Sequence, residues 1–249
     1  MIPISKRGYD LTIMATLGTI NQIWRYPFKS MCGEYIDSCP ITPMGVAGDR
    51  VWAVRDAQTG KLGSGKRLPA LMMCSSKYLE EPSPDTITHA AITFPDGSTT
   101  QTDHDDVHDR LSEYLGKAVT IESSIGEHFD GSILSMQTDA SIESLQEMLP
   151  ESEIIHARFR HNLLIQTPIG VHDFPELDWV GKDIAVGDVQ LTVHKPIRRC
   201  TMVSAPQPNL TEDQQILRTI IDNLNRCLGV YAITGMSGTL RVGDVIRAD

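Results

Sequence analysis

Residues 189–194 read Val-Gln-Leu-Thr-Val-His, with apolar and polar side chains in strict alternation. Successive side chains of a strand point to opposite faces, so the alternation predicts a strand with one dry face and one wet face. Shorter β-rich pieces recur at Val51–Val54, Ala91–Phe94, Ala118–Glu122 and Asn162–Gln166, with turn residues such as Pro95-Asp96-Gly97 between them. The string Val-Gly-Asp-Val occurs at 186–189 and at 242–245, each copy a Gly-Asp turn entering a strand. Three segments have helical spacing instead. Val107, Leu111, Tyr114 and Leu115 are closed by Gly116, and Ile142, Leu145, Met148 and Leu149 are stopped by Pro150. The third runs through Leu217, Ile220, Ile221, Leu224 and Leu228. It is expected to start at a Thr211/Gln214 capping box and to end at Gly229, with Cys227 in its last turn. Many short strands with few helices predict an α+β, mainly β fold of two β-barrel-like lobes with covering helices. The polar segment Ser123–Ser132 follows a strand and places the expected boundary between lobes 1–122 and 123–249.

A chain of 249 residues, 41% hydrophobic, has enough core for this without staples. The net charge of -10 argues against bulk nucleic acid or an anionic membrane surface as a partner. No apolar run approaches the ~20 residues of a membrane span, and the first twenty residues have no apolar secretion core. A cytoplasmic location is the expectation. Cys32, Cys39, Cys74, Cys200 and Cys227 are odd in number and scattered, which argues against a disulfide framework or zinc ribbon and for a reducing compartment. Local charge runs against the total. Residues 22–70 hold seven cations against four acids, and Lys195, Arg198 and Arg199 follow without an acid among them. Such patches on a negative chain suit a small anionic ligand, although solvated surface Lys and Arg give the same pattern.

Gly60–Lys66 superficially fits a phosphate loop, but Arg67 stands where Ser or Thr is needed, and Leu68-Pro69 blocks the following helix. A glycine-rich hairpin tip is expected there. His104 and His108, among Asp103, Asp105, Asp106 and Asp109, have no third ligand at metal spacing and read as a solvated, acidic helix start. Cys200 differs. It follows a strand, a proline and the pair Arg198-Arg199, and neighbouring cations favour the thiolate, the form that attacks electrophiles and binds soft metals. A plain buried cysteine is the alternative. Cys74 and Cys227 read as packing residues, and Cys32 and Cys39 have no assignable role.

Ile23-Trp24-Arg25-Tyr26-Pro27-Phe28-Lys29-Ser30 resembles the Y-P-x-K-S opening of the MOSC N-terminal barrel. Gly48-Asp49-Arg50-Val51-Trp52 resembles its D-R-x-W strand, and Arg67–Leu71 the segment that follows. Phe159-Arg160-His161-Asn162, Trp179-x-Gly181, Pro196-x-x-Arg199-Cys200 and the closing Gly229–Ala232 and Gly238–Asp244 resemble, in order, the MOSC domain itself. The matches run from about residue 20 to the C-terminus. The chain is thus similar to the molybdenum-binding MOSC proteins, which include amidoxime-reducing and hydroxylaminopurine-resistance proteins.

The resemblance implies a molybdenum cofactor (molybdopterin) between the lobes, with Cys200 as thiolate ligand to the metal. It places Lys29, Ser30, Arg50, Arg160, Asn162, Arg198 and Arg199 at cofactor-binding positions, with Asn162 either on the pterin or satisfying backbone. Asp130 matches an acidic loop residue that delivers protons or forms a turn. Two departures stand out: Arg198 replaces a small polar residue, and Ile133-Leu134 replaces a Pro-aromatic pair. The implied activity is reduction of small N-hydroxylated substrates such as hydroxylamino bases, amidoximes or hydroxamates. No ferredoxin-type cysteine spacing, G-x-G-x-x-G unit or haem motif is present, so electrons are expected from a separate donor protein, ferredoxin- or cytochrome b5-like, with its reductase. The rivals are a cofactor carrier or sulfur-transfer module using a Cys200 persulfide, and a scaffold that binds no metal.

Overall fold

A computed structural model describes residues 15–248. In chain order the first strands are β1 (Ala15–Arg25), β2 (Glu34–Ile36), β3 (Ser38–Thr42), β4 (Gly45–Val46), β5 (Trp52–Asp56), β6 (Ser75–Tyr78), β7 (Ala90–Thr93) and β8 (Thr99–Gln101). Helix α1 (Val107–Leu115) and β9 (Val119–Ser123) complete the first half. The second half runs β10 (Leu134–Thr138), α2 (Asp139–Met148), α3 (His156–Phe159), β11 (Leu163–Gln166), β12 (Asp183–Val186) and β13 (Val189–Arg198). It ends with α4 (Gln214–Asn223), β14 (Cys227–Ile233), β15 (Gly238–Arg241) and β16 (Val245–Ala248).

Seven strands close a barrel in the order β1-β11-β10-β14-β13-β12-β16 and back to β1. Only β10 and β11 run parallel, and α2 and α3 lie in the crossover between them. Closure leaves no open edge among these strands. β13 keeps the expected alternation: Val189, Leu191 and Val193 are buried, while Gln190, Thr192 and His194 are exposed. The apolar set meets Ile23, Leu134 and Ile246 in the barrel core. The first lobe is looser. Its sheets β5-β9 and β6-β7-β8 are joined by isolated bridges such as Phe28–Trp52 and Cys32–Ser75 around a second core. A third cluster, with Leu145, Phe159, Ile216 and Leu228, seats α2, α3 and α4 on the barrel.

Strand β1 crosses the division expected at 122/123, which itself falls inside β9. Although β1 comes first in the chain, it pairs with β16 through Ala15–Thr19 and with β11 through Thr19–Ile23, and so seals the C-terminal barrel. Two bulges bend it into that role. At its end Arg25 is buried against Glu34 (2.9 Å), Glu81 (2.8 Å) and the Tyr78 ring, which ties the seam to the first lobe.

The third helix differs from its sequence pattern. Asp213, not Thr211, caps α4, accepting from the Gln215 N–H at 2.9 Å. The helix ends at Asn223, and Asn225 and Arg226 take left-handed φ angles of 48° and 68°. Leu228 fits the helical stripe because β14 buries it in the same cluster as Ile216 and Ile220. Cys227 opens that strand rather than ending a helix. The glycine-rich stretch does belong to a hairpin, but only Gly60 lies at its tip, its N–H on the Asp56 carbonyl at 2.9 Å. Residues 61–65 run back along β5, with the Gly63 N–H on the Val54 carbonyl at 2.6 Å.

Gly18 fixes the seam. A Cβ there would lie 2.4 Å from the Gln166 carbonyl oxygen and 2.8 Å from Ile165 Cγ2. Gly18→Ala must push β1 off β11, and overpacking of this kind costs about 1–3 kcal/mol. Thermal denaturation should show Tm lower by about 2–4 °C for each kcal/mol; an unchanged Tm would refute the tight seam.

Candidate functional site

A cavity of about 290 Å³ lies between the lobes. Side chains from both lobes converge on its wall. Ser30 comes from the turn after β1, Arg50 from the turn before β5, Asp130 from the interlobe loop and Arg160 from the end of α3. Arg198 to Cys200 come from the end of β13, and Ser64 and Lys66 from the glycine-rich return arm. Cys200 is half-buried there.

Three of these wall residues hold a backbone that favours glycine. Ser30, Arg50 and Arg160 have φ of 71°, 52° and 58°. A left-handed non-glycine residue costs about 1–3 kcal/mol and clusters where side-chain placement matters more than backbone comfort. Arg160 is the clearest case, because it stands at the α3 cap where glycine is usual. Both arginines lie over the ring of Tyr26, with guanidinium carbons 5.0 Å (Arg50) and 4.6 Å (Arg160) from its centroid. Tyr26 is buried; its N–H donates to Asp49 at 2.8 Å and its hydroxyl to the His161 carbonyl at 3.2 Å. Burial raises its pKa, which keeps it neutral beneath two cations. Arg50 is paired with Asp49 and also donates to the Arg160 carbonyl at 3.3 Å.

The second cationic element is a locked chain. Arg199 Nη2 donates to the Phe159 carbonyl (2.8 Å), and Nη1 meets His161 Nε2 (3.1 Å). Arginine only donates, so His161 Nε2 must accept, and His161 Nδ1 carries the proton toward Gln137 Oε1 at 2.8 Å. Burial, with Arg199 second, holds the His161 pKa well below the usual histidine value, which agrees with a fixed neutral tautomer. Burial also brings Arg199 down to about 10. Two buried guanidinium nitrogens on the wall, Arg160 Nη1 and Arg199 Nε, have no hydrogen-bond partner among the described residues. A buried donor left unpaired costs about 1–3 kcal/mol, more when charged, so the site is built for an incoming acceptor. One accessible thiol beside unpaired guanidinium donors fits a soft metal carried on a phosphate-bearing ligand.

Lys29, though expected at the ligand, does not reach the wall: its buried ammonium donates to the His128 carbonyl (2.7 Å) and pairs with Asp130. Partial desolvation by its neighbours would raise the Asp130 pKa, but Lys29, Arg50 and Arg160 outweigh it and hold the carboxyl below the usual carboxylate range. Asn162 is also off the wall. It accepts from the Ser135 N–H and donates to the Trp24 carbonyl, stitching β10 to β1. Arg198 is on the wall but exposed, outside the buried cradle. Tyr26, His161 and Tyr231, another wall residue, stand inside motifs legible in sequence, yet nothing in their spacing marks them as site residues. Of the remaining cysteines, Cys39 and Cys74 are buried, with thiols pushed up to about 12 and about 11, and Cys32 contacts the Met72 carbonyl at 3.5 Å. His104 and His108 are exposed, and among the described residues no three His, Cys, Asp or Glu side chains group as metal ligands.

Beside the cradle, His156 is buried with its pKa lowered to about 4, first by burial and then by Arg199. The unfolded chain binds this proton near pH 6.5 and the folded one only near 4, so stability falls as pH drops between those values. The loss from this group reaches about 3 kcal/mol by pH 4. Urea denaturation from pH 7 to pH 4 should be steeper in the wild type than in His156→Gln; equal slopes would count against it.

Two family models match this chain: the MOSC N-terminal beta barrel domain over residues 17–121 and the MOSC domain over residues 128–247. The mouse mitochondrial amidoxime-reducing component 1 is 22% identical, covering 92% of this chain and 82% of its own length. The crystal structure of the YuaD protein from Bacillus subtilis superposes with a TM-score of 0.51 at 11% identity, covering 95% of this chain and 98% of that one. YiiM from Escherichia coli gives a TM-score of 0.43 at 10% identity, over 93% of this chain and 69% of its own. With both family models matched in order, and the barrel and interlobe cavity in place, the chain belongs to the MOSC family: a MOSC N-terminal barrel domain followed by a MOSC domain.

Proposed function

We propose that this protein is a molybdenum-cofactor-dependent reductase of small N-hydroxylated compounds, supplied with electrons by a separate donor protein. The observation that carries the reading is the wall of the interlobe cavity, where one half-buried thiol meets unpaired, buried guanidinium donors. The activity in the name of the mouse relative supports the substrate class. When bound, the cofactor supplies two-electron redox chemistry at a metal that accepts an oxygen.

The chain's own residues do the rest. Cys200 gives the metal a soft, anionic ligand. Arg160 and Arg50, both packed on the Tyr26 ring, offer their guanidinium edges to the phosphate. Ser30 lies beside them, its hydroxyl accepting the Gly65 N–H at 2.9 Å. Arg199 cannot swing away, because His161 and the Phe159 carbonyl hold two of its nitrogens. Lys29 and Asn162 act from behind the wall, Lys29 by anchoring Asp130 and Asn162 by joining β10 to β1. Reductive N–O cleavage consumes two protons for the departing water. Asp130, ionised and 64% exposed at the mouth, is placed to pass protons from solvent inward.

Protein from a cofactor-competent host should contain close to one molybdenum per chain, and Cys200→Ser little. The loaded protein should reduce an amidoxime with an artificial low-potential reductant and not with NADH alone. Metal retained in the variant would refute the ligand assignment. Absence of metal from both, with labile sulfane sulfur on Cys200, would replace the reductase by the sulfur carrier.

A further inference from the structure

Six cations line the cavity: Arg50, Lys66, Arg158, Arg160, Arg198 and Arg199. Among the described residues Asp130 is the one acid on the wall, and it is already paired with Lys29. The deeper cations have duties. Arg50 pairs with Asp49, and Arg199 is held by His161 and Phe159. Arg158 donates to the carbonyls of Glu153, Val203 and Thr211 at 3.1–3.3 Å. Arg160 stacks on Tyr26 in the buried cradle. Lys66 and Arg198 differ: both are exposed, and neither makes a side-chain hydrogen bond or ion pair among the described residues.

Their positions are nevertheless fixed by backbone. Lys66 follows Gly65, whose N–H is bound by Ser30 Oγ. A Cβ on Gly65 would sit 2.8 Å from Met202 Cε and 2.8 Å from Met72 Sδ, so the return arm lies directly on Met202, two residues past Cys200. Arg198, two residues before Cys200, is pinned in the barrel ladder opposite Cys227. One cation therefore comes to the cavity wall from each lobe, Arg198 two residues before the cysteine and Lys66 next to the glycine that packs on Met202. Ser64 adds a hydroxyl on the same wall.

We propose that Lys66 and Arg198 form a phosphate-binding subsite at the cavity rim, so that the preferred substrates are N-hydroxylated nucleotides rather than free bases. This rests on the reductase reading. A planar fork, a point charge and a hydroxyl together match a dianionic phosphate monoester. A neutral base would leave both rim charges unused. A nucleic-acid strand is disfavoured by the net charge of -10 that the whole chain carries. Rim charges act in high dielectric, so the preference must weaken with salt.

The test uses cofactor-loaded protein and three substrates with one reacting group: 6-hydroxylaminopurine, its ribonucleoside and its ribonucleoside 5′-monophosphate. The nucleotide should exceed the nucleoside in kcat/KM by roughly tenfold at low ionic strength, as for one or two charge-assisted hydrogen bonds. Added salt, Lys66→Gln and Arg198→Ser should each shrink that ratio severalfold. Calorimetric titration with AMP and adenosine gives a readout without turnover: AMP should bind more tightly, and less so in either variant. Equal kcat/KM for nucleotide and nucleoside, AMP binding no tighter than adenosine, or ratios unchanged in both variants would overturn the subsite. Failure to reduce any of the three substrates would instead sink the reductase reading, and the AMP titration would still decide the subsite.

Discussion

The structure depends on strand β1 being paired along both edges. Its first half joins β16 and its second half β11, which closes a seven-strand barrel that residues 134–248 cannot close alone. The chain leaves this seam at Arg25 and enters Tyr26-Pro27-Phe28-Lys29-Ser30 at once. The first-lobe contributions to the cavity are therefore referenced to the barrel through this strand end, with the pairing of β3 on β15 as a second link. The buried Arg25, held by two glutamates and the Tyr78 ring, makes that junction rigid. A cavity lined from two lobes is only as exact as the joint between them, and here the joint is a hydrogen-bonded ladder rather than a linker.

Within that frame the cradle works against its own stability. Arg50 and Arg160 approach one tyrosine ring, both from left-handed backbone, and buried guanidinium nitrogens on Arg160 and Arg199 remain unpaired. Burial penalises such charges, and it lowers the pKa of both Arg160 and Arg199. The aromatic face, the Asp49 carboxylate and the neutral His161 offset part of this cost while leaving the donors free. An anionic ligand at this wall would meet cations that the fold already holds in place, which is the physical meaning of a preorganised site.

Several features were legible from sequence because their cause is local. The alternation at 189–194 is a property of six consecutive residues, and the strand formed as read. Gly116 and the stripe before it gave α1 with its left-handed cap. The α4 stripe misled at Leu228 because burial in one cluster arises equally from a helix turn and from a strand beneath it. Within the motifs, Ser30, Arg50, Arg160, Arg199 and Cys200 do meet at one cavity. Lys29 and Asn162, adjacent to wall residues in sequence, point their bonds elsewhere.

The sequence by itself determined the β-rich class, the short helices, the order of the MOSC motifs and the presence of a cysteine beside two arginines. These depend on periodicity, turn residues and side-chain chemistry, which act over a few residues. Only the tertiary structure decided that β1 belongs to the barrel that follows it, that two arginines pack on the Tyr26 ring, and that His161 fixes Arg199. It also separated the buried cradle from the rim of Lys66 and Arg198. Each of these is a contact between residues far apart in the chain, set by barrel closure and desolvation, and neither leaves a trace in local spacing.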